Sequence, residues 1–183
     1  MQTATKNLEN DHEHILRLTS VMEAMIQKGS VNTDHFDQVV GLIRNFADGF
    51  HHAKEEDLLF PLMGEKGFSP GQGPVAVMLH EHVQGRNYVS GMVEAIARLR
   101  GGDKSALSDI YSNMQAYASL LQHHISKESN ILFRMADQAF SPEEQQLLLE
   151  KFAEVENRVQ AGYNYENSIV RINQLASVYL PAI

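Results

Sequence analysis

The sequence predicts an all-α protein, an up-down antiparallel four-helix bundle with additional helices at its C-terminal end. Three observations carry this expectation. Long stretches repeat apolar residues at helical spacing, broken only by short runs rich in glycine and proline. No stretch shows strand alternation bounded by hairpin turns. One ten-residue motif occurs twice, HHAKEEDLLF at 51–60 and HISKESNILF at 124–133, so two helices carry the same device.

The first helix is expected over residues 5–27, ending at Lys28-Gly29-Ser30. The second covers 33–63 and stops at the segment GEKGFSPGQGP, Gly64 to Pro74. The third runs over 75–100 and ends at Gly101-Gly102. Asp103 is placed to cap the fourth, 104–139, which stops at Phe140-Ser141-Pro142. Ser141, with Pro142 at the first helical position and Glu144 three residues on, reads as a capping box for the fifth, 142–160. A weaker break at Ala161-Gly162 leads to a sixth, 166–180. Short loops between long amphipathic helices make sequence neighbours antiparallel.

The chain of 183 residues is 43% hydrophobic, enough for one domain with a buried core. Its formal net charge is −8, without any basic run, so nucleic acid and anionic membrane surfaces are poor partners. The N-terminal segment MQTATKNLENDHEH has no apolar signal core. No apolar run approaches the roughly 20 residues that span a bilayer, and a cytoplasmic protein is expected. There is no cysteine, which excludes disulfides, thiolate metal sites and cysteine nucleophiles.

Eight of the nine histidines fall in pairs, one pair on each of the first four helices: His12/His14, His51/His52, His80/His82 and His123/His124. At 100° per residue one member of each pair joins the apolar stripe. The stripes are Leu8, His12, Ile15, Thr19, Met22, Ile26 on the first helix and Ile43, Ala47, His51, Glu55, Leu58, Leu62 on the second. On the third they are Val75, Met78, His82, Gly85, Val89, Met92, Ile96, and on the fourth Ile110, Met114, Tyr117, Leu121, His124, Glu128, Ile131, Met135. His52 falls at the edge of its face, beside Asp48 and Glu56. The inward polar set is therefore His12, His51, Glu55, His82, His124 and Glu128. Burying these groups without partners would cost on the order of several kcal/mol each. A cation resolves this, and imidazole with carboxylate but no thiolate suits iron, manganese or zinc. Each His-x-x-x-Glu places two ligands one turn apart on one face, and two such units offer carboxylates enough to bridge a metal pair.

With these motifs in order, the sequence resembles the hemerythrin-like, histidine/histidine/glutamate cation-binding family. Leu8-Glu9-Asn10-Asp11-His12, HHAKEEDLLFP at 51–61, GPVAVMLHEHVQGR at 73–86 and HISKESNILF at 124–133 carry the resemblance, which covers about residues 5–155. It implies a four-helix bundle over residues 1–160, including the fifth helix, around two iron ions with an oxo or hydroxo bridge. Residues 161–183 are then a C-terminal extension that covers the bundle or forms a homodimer interface through Ile169, Ile172, Leu175, Ala176 and Tyr179. The implied ligands are His12, His51, His82 and His124, with Glu55 and Glu128 bridging. Oxygen carriers of the family use a third-helix His-x-x-x-His; here Met78 and Arg86 flank His82 at that spacing, a departure from the carrier pattern. In an iron-sensing relative an extra ligand directly follows the second-helix histidine, and His52 occupies that place.

His14, His80 and His123 read as surface residues or as supports of the ligands, and His35 as surface or, since some repair-type relatives have an extra histidine between the first and second motifs, as a further ligand. Tyr117 reads as a core tyrosine with a capped hydroxyl, or as a donor to a bound oxygen species. Lys54 and Lys127 read as surface lysines, or as charge balance near the glutamates. The methionines read as core filling, and Gly85 as room for a ligand or for close helix packing. The functional expectation is a non-haem diiron protein whose small-molecule partner is O₂ or NO, or which senses or handles iron. The alternative is a diiron peroxidase, an NO-scavenging enzyme or an iron-sulfur repair enzyme. Repair-type relatives often carry an N-terminal cysteine segment that this sequence lacks, which places repair behind the other readings.

Overall fold

The computed structural model describes residues 3–181, and its described residues form helices and connecting turns, apart from an isolated bridge between Gln160 and Tyr163. Residues 182 and 183 of the expected C-terminal extension, and residues 1 and 2, lie outside the described residues. Helix α1 is Ala4–Gln27, begun by the Thr3 side chain accepting from the Lys6 N–H. Helix α2 spans 33–65, with Asn32 accepting from the backbone N–H of Asp34 and His35 at its start. Helix α3 is Gly73–Arg100. Helix α4 spans 106–139, and α5 is Pro142–Glu156, opened by the capping box of Ser141 and Glu144. Helix α6 is Tyr165–Tyr179. Among the described residues no helix is long and apolar enough to cross a membrane.

The start of α4 departs from expectation. Asp103 accepts from the Ser105 N–H and hydroxyl, which closes a turn, and the helix begins at Ala106 rather than at 104.

A larger departure lies inside α2 and α4. Both contain π-helical turns, at Ile43–His52 and Glu55–Leu59 in α2 and at Glu128–Leu132 in α4. The N–H of Phe60 donates to Glu55 O and that of Phe133 to Glu128 O, each five residues back instead of four. Such a turn accommodates one extra residue, so the buried stripe beyond it slips by one position. Leu59 and Met63 are buried where Leu58 and Leu62 were expected. Leu132, Phe133 and Ala136 are buried, whereas Ile131 is exposed and Met135 only half-buried. Along α3, which has no such turn, every expected stripe residue is buried.

Buried apolar residues form two clusters. Along α1 the order is Leu8 of one cluster, then His12, then Ile15 of the other. Along α2 it reverses: Phe50, then His51 to Glu55, then Leu59. Along α3, Met78 precedes His82 and Val89 follows; along α4, Leu121 precedes the polar residues and Leu132 follows. A layer of buried histidine and glutamate thus separates two apolar layers on four helices.

Helix α3 packs on α4, α1 on α4 and α2 on α3. Helix α5 lies against α1, and α6 lies against α1 and α2. Ile172, Leu175, Ala176 and Tyr179 of α6 are buried in the same apolar cluster as Ile15 and Phe36. The link between α5 and α6 turns through Ala161 and Gly162, both with positive φ. Gly41 lets Tyr163 of this link approach α2; a Cβ there would collide with the Tyr163 hydroxyl. His35, expected at the surface, is half-buried, and its Nδ1 lies 2.6 Å from the Tyr179 hydroxyl of α6.

Candidate metal centre

The polar layer holds His12 from α1, His51, His52 and Glu55 from α2, His82 from α3, and His124 and Glu128 from α4, all buried. They form two adjoining groups: His12, His51, Glu55 and Glu128, and His52, Glu55, His82 and His124. Within each group one ligand atom per residue lies within 4.8 Å of every other, and Glu55 belongs to both. The structure therefore brings together all seven residues singled out in the sequence. His52 sits in the interior, not at an edge, stacked on His82 with ring centroids 3.9 Å apart. The π-helical backbone around it allows adjacent histidines to share one interior, which a uniform α-helical rotation does not.

The imidazoles are held from outside by oxygen atoms. His51 Nδ1 lies 3.1 Å from Asp11 Oδ2, His52 Nδ1 2.8 Å from Asp48, His82 Nδ1 2.7 Å from Glu56, and His124 Nδ1 2.8 Å from Glu81. His12 Nδ1 lies 3.1 Å from the Ser129 hydroxyl. An ionised carboxylate only accepts, so Nδ1 of these four histidines carries the proton and donates it outward. In the neutral imidazole Nε2 is then a lone pair aimed inward, the arrangement that orients metal-binding histidines.

The inward atoms do not satisfy one another. The Nε2 atoms of His12 and His51 are 3.1 Å apart, as are those of His82 and His124. Both carboxylate oxygens of Glu55 and of Glu128, and His52 Nε2, are buried without a hydrogen-bond partner among the described residues. Glu128 lies 3.2 Å from His12 Nε2 and 3.1 Å from His124 Nε2, acceptor against lone pair while the rings are neutral. Buried polar groups left this way are rare and costly. Five nitrogen donors and two carboxylates, apposed and unpaired, fit metal cations of borderline character.

Without a cation, protons must relieve the pocket. Burial, and the Glu128 charge beside it, push the Glu55 carboxyl well above its usual range. Burial opposes the charge on Glu128 too, but His124 and His12 hold its carboxyl well below the usual range. Burial works against the His124 imidazolium, yet Glu128 and Glu81 keep its pKa raised. Burial drives His52 well down and His51 down to about 4. Metal loading must displace the proton on Glu55, so it releases acid and weakens as pH falls.

A pH prediction for the metal-free chain follows. His51 has a folded pKa of about 4 against 6.5 for the free side chain, so its contribution is complete above 6.5 and is lost as pH falls towards 4. His52 acts in the same sense and His124 in the opposite one. Glu55, pushed up, also acts in the opposite sense, so the His51 ring itself is the group to follow. An NMR titration of the metal-free protein should place its protonation at about 4, and protonation near 6.5 would contradict a buried, neutral His51.

Around this layer lies a set of residues that periodicity did not single out. Asp11 is buried and accepts from Lys54 Nζ at 2.6 Å and from the Tyr165 hydroxyl of α6 at 2.5 Å, besides facing His51. Burial would raise its pKa, but His51 and Lys54 bring it to about 2. Lys54 is not a surface lysine: it is 0% exposed, and Nζ also lies 2.8 Å from Glu156 and from Asn7 Oδ1. Lys127 is half-buried and paired with Glu81. Arg86 bridges Glu56 at 2.5 Å and Asp48 at 3.3 Å. A carboxylate next to three of the ligands in the chain (Asp11 before His12, Glu56 after Glu55, Glu81 before His82) was the signal available for these three supports. Tyr117 is buried, but its hydroxyl is not capped: it has no hydrogen-bond partner among the described residues. His80 and His123 are exposed, and His14 is half-buried against Phe46.

Comparison with known proteins agrees with this architecture. An iron-sulfur cluster repair protein, YtfE, of Pectobacterium atrosepticum is 33% identical over 93 residues, 47% of this chain and 40% of that protein. The iron-sulfur cluster repair protein DnrN of Neisseria gonorrhoeae is 28% identical over 108 residues, 56% of this chain and 69% of that one. An uncharacterized protein of Mycobacterium tuberculosis is 21% identical over 160 residues, 85% of this chain and 62% of its own length. The match to the YtfE relative thus spans less than half of that protein. No solved structure gave a significant match. The family model for the hemerythrin HHE cation-binding domain matches residues 3–136, which include all seven residues of the polar layer, and the chain belongs to that family.

Proposed function

We propose that this protein holds two iron ions in the polar layer and uses them to bind a small ligand such as O₂ or NO, or to sense or handle iron. His12 and His51 would hold one ion, His52, His82 and His124 the other, with Glu55 and Glu128 shared between them. The observation that carries this reading is the set of four glutamate oxygens and one imidazole nitrogen, buried and without a hydrogen-bond partner among the described residues. Two irons so held supply a redox-active site with affinity for diatomic ligands. The chain supplies the rest. Asp11, Asp48, Glu56 and Glu81 fix the histidine tautomers. Lys54 balances the charge of Asp11. The two apolar layers exclude bulk water. The reversal of those layers from helix to helix supports an up-down antiparallel four-helix bundle as the frame, with residues 161–183 as a covering extension.

The names of two similar proteins, both iron-sulfur cluster repair proteins, favour a second reading, an enzyme that repairs iron-sulfur centres; an enzyme that scavenges NO or peroxide is the other form of that reading. Absorption spectroscopy tests the iron centre common to both readings, and turnover separates them. The purified chain should contain iron and show near-ultraviolet bands that bleach with dithionite and return with air. Catalytic turnover of NO or peroxide well above that of free iron would favour the enzyme. Zinc alone, with no redox-sensitive band, would overturn both.

A further inference from the structure

Tyr165 stands in the first turn of α6, outside the residues 3–136 that the family model matches, yet its hydroxyl reaches the support of the metal layer. Asn164 caps α6 by accepting from the Asn167 N–H, which fixes the backbone that carries Tyr165. The ring is wedged against Phe46 and Phe50 of α2, with centroids 5.4 and 6.0 Å away, and Lys54 Nζ lies 5.3 Å from its centroid. From this seat the hydroxyl donates to Asp11 Oδ1 at 2.5 Å. Asp11 Oδ2 accepts from His51 Nδ1 at 3.1 Å and from Lys54 Nζ at 2.6 Å. An unbroken chain of contacts therefore joins the C-terminal helix to His51, whose other nitrogen faces the layer.

Asp11 differs from the other carboxylates that hold the histidines. Asp48, Glu56 and Glu81 are half-buried, and their partners Arg86 and Lys127 are half-buried too. Asp11 is 0% exposed, so water does not screen it and its three donors alone share its charge. A carboxylate that accepts from the outer N–H of a metal-binding histidine makes the inner nitrogen more basic. What Tyr165 and Lys54 draw from Asp11 is withheld from His51.

We propose that Tyr165 is a positioning residue of the metal centre: by donating to Asp11 it limits the push of that carboxylate on His51, and so keeps the reduction potential of the bound irons higher than it would be without the tyrosine. The inference rests on the metal reading above and extends that centre to the C-terminal helix. Two effects act in the same direction. A more basic His51 favours ferric over ferrous iron, and so does a negative charge on Asp11 that fewer donors offset. The influence falls on the side of His12 and His51, so the two metal positions are unequal. Helix α6 thereby tunes the centre besides covering its apolar layer.

The test is an anaerobic redox titration of the iron-loaded chain, followed at its near-ultraviolet bands with iron content measured alongside, in wild type, Tyr165→Phe and Tyr179→Phe. Tyr165→Phe should shift the midpoint to lower potential with its iron content unchanged. Tyr179→Phe removes another α6 hydroxyl, one bonded to His35 and Ser30, and should leave the midpoint where it is. Equal shifts in the two variants would reflect a general loosening of α6 and overturn the proposal. A midpoint unchanged or raised in Tyr165→Phe, with iron retained, would overturn it while leaving the metal reading in place. If Tyr165→Phe holds no iron, 3-fluorotyrosine placed at position 165 decides. It keeps the shape and donates more strongly, so the midpoint should rise, and no rise overturns the proposal. A wild-type chain that takes up no iron would overturn the metal reading, and the proposal with it.

Discussion

Replacing Lys54 by methionine should destabilise the protein by about 3–5 kcal/mol, the cost of leaving a buried charge without its partner. Methionine keeps most of the aliphatic volume, so the loss is electrostatic. Asp11 would remain buried, facing His51 and Tyr165, without the ammonium 2.6 Å away. Glu156 and Asn7, which share that ammonium at 2.8 Å, tie α5 and the start of α1 to α2. At about 2–4 °C per kcal/mol for a chain of this size, the thermal midpoint should drop by roughly 10 °C. Adding Asp11→Asn should recover much of the loss, because the buried charge disappears with its partner. A single variant that melts like the wild type would show that Asp11 is not charged in the fold.

Glu55→Gln should have the second large effect, confined to the metal-bound state of the protein. Glu55 is the residue common to both ligand groups, so its amide variant should hold less than one metal per chain. In the metal-free form the outcome differs. The Glu55 carboxyl is pushed well up by burial and by Glu128, so it is already neutral there, and glutamine mimics that state. The metal-free variant should therefore melt close to the metal-free wild type, within about 1 kcal/mol. Glu128→Gln should behave differently. Its carboxylate stays ionised beside His124 and His12, so its loss should destabilise the metal-free protein as well. Calorimetry of the wild type and the two variants, each metal-free and metal-loaded, separates the two glutamates. Equal effects in the metal-free state would contradict the charge assignment.

The helices and the inward polar residues were legible because both are written at helical spacing. Short breaks such as Gly101-Gly102 and Phe140-Ser141-Pro142 mark helix ends by backbone chemistry alone. The stripe of α3 was readable throughout, since its backbone keeps one rotation per residue from Val75 to Ile96. What the spacing did not reveal begins at the glutamates. The π-helical turns at Glu55–Leu59 and Glu128–Leu132 slip the stripe by one residue, which explains why Leu58 and Ile131 were expected inside in place of Leu59 and Leu132. The same irregularity brings His52 into the interior. The surface reading of Lys54 and the capped reading of the Tyr117 hydroxyl failed for another reason. Whether a polar tip meets a partner depends on residues distant in sequence, Asp11 and Glu156 for Lys54, and for Tyr117 the α2 and α3 residues that line a cavity beside it. His35 was taken for surface because its partner, Tyr179, lies 144 residues away.

The central claim is that one layer of seven residues holds two metals. The most direct measurement is an anaerobic titration of the metal-free chain with ferrous iron, followed by absorption and by proton release. A break is expected at two irons per chain, with acid released up to that point and none beyond. A break at one iron per chain, or saturation without proton release, would contradict it.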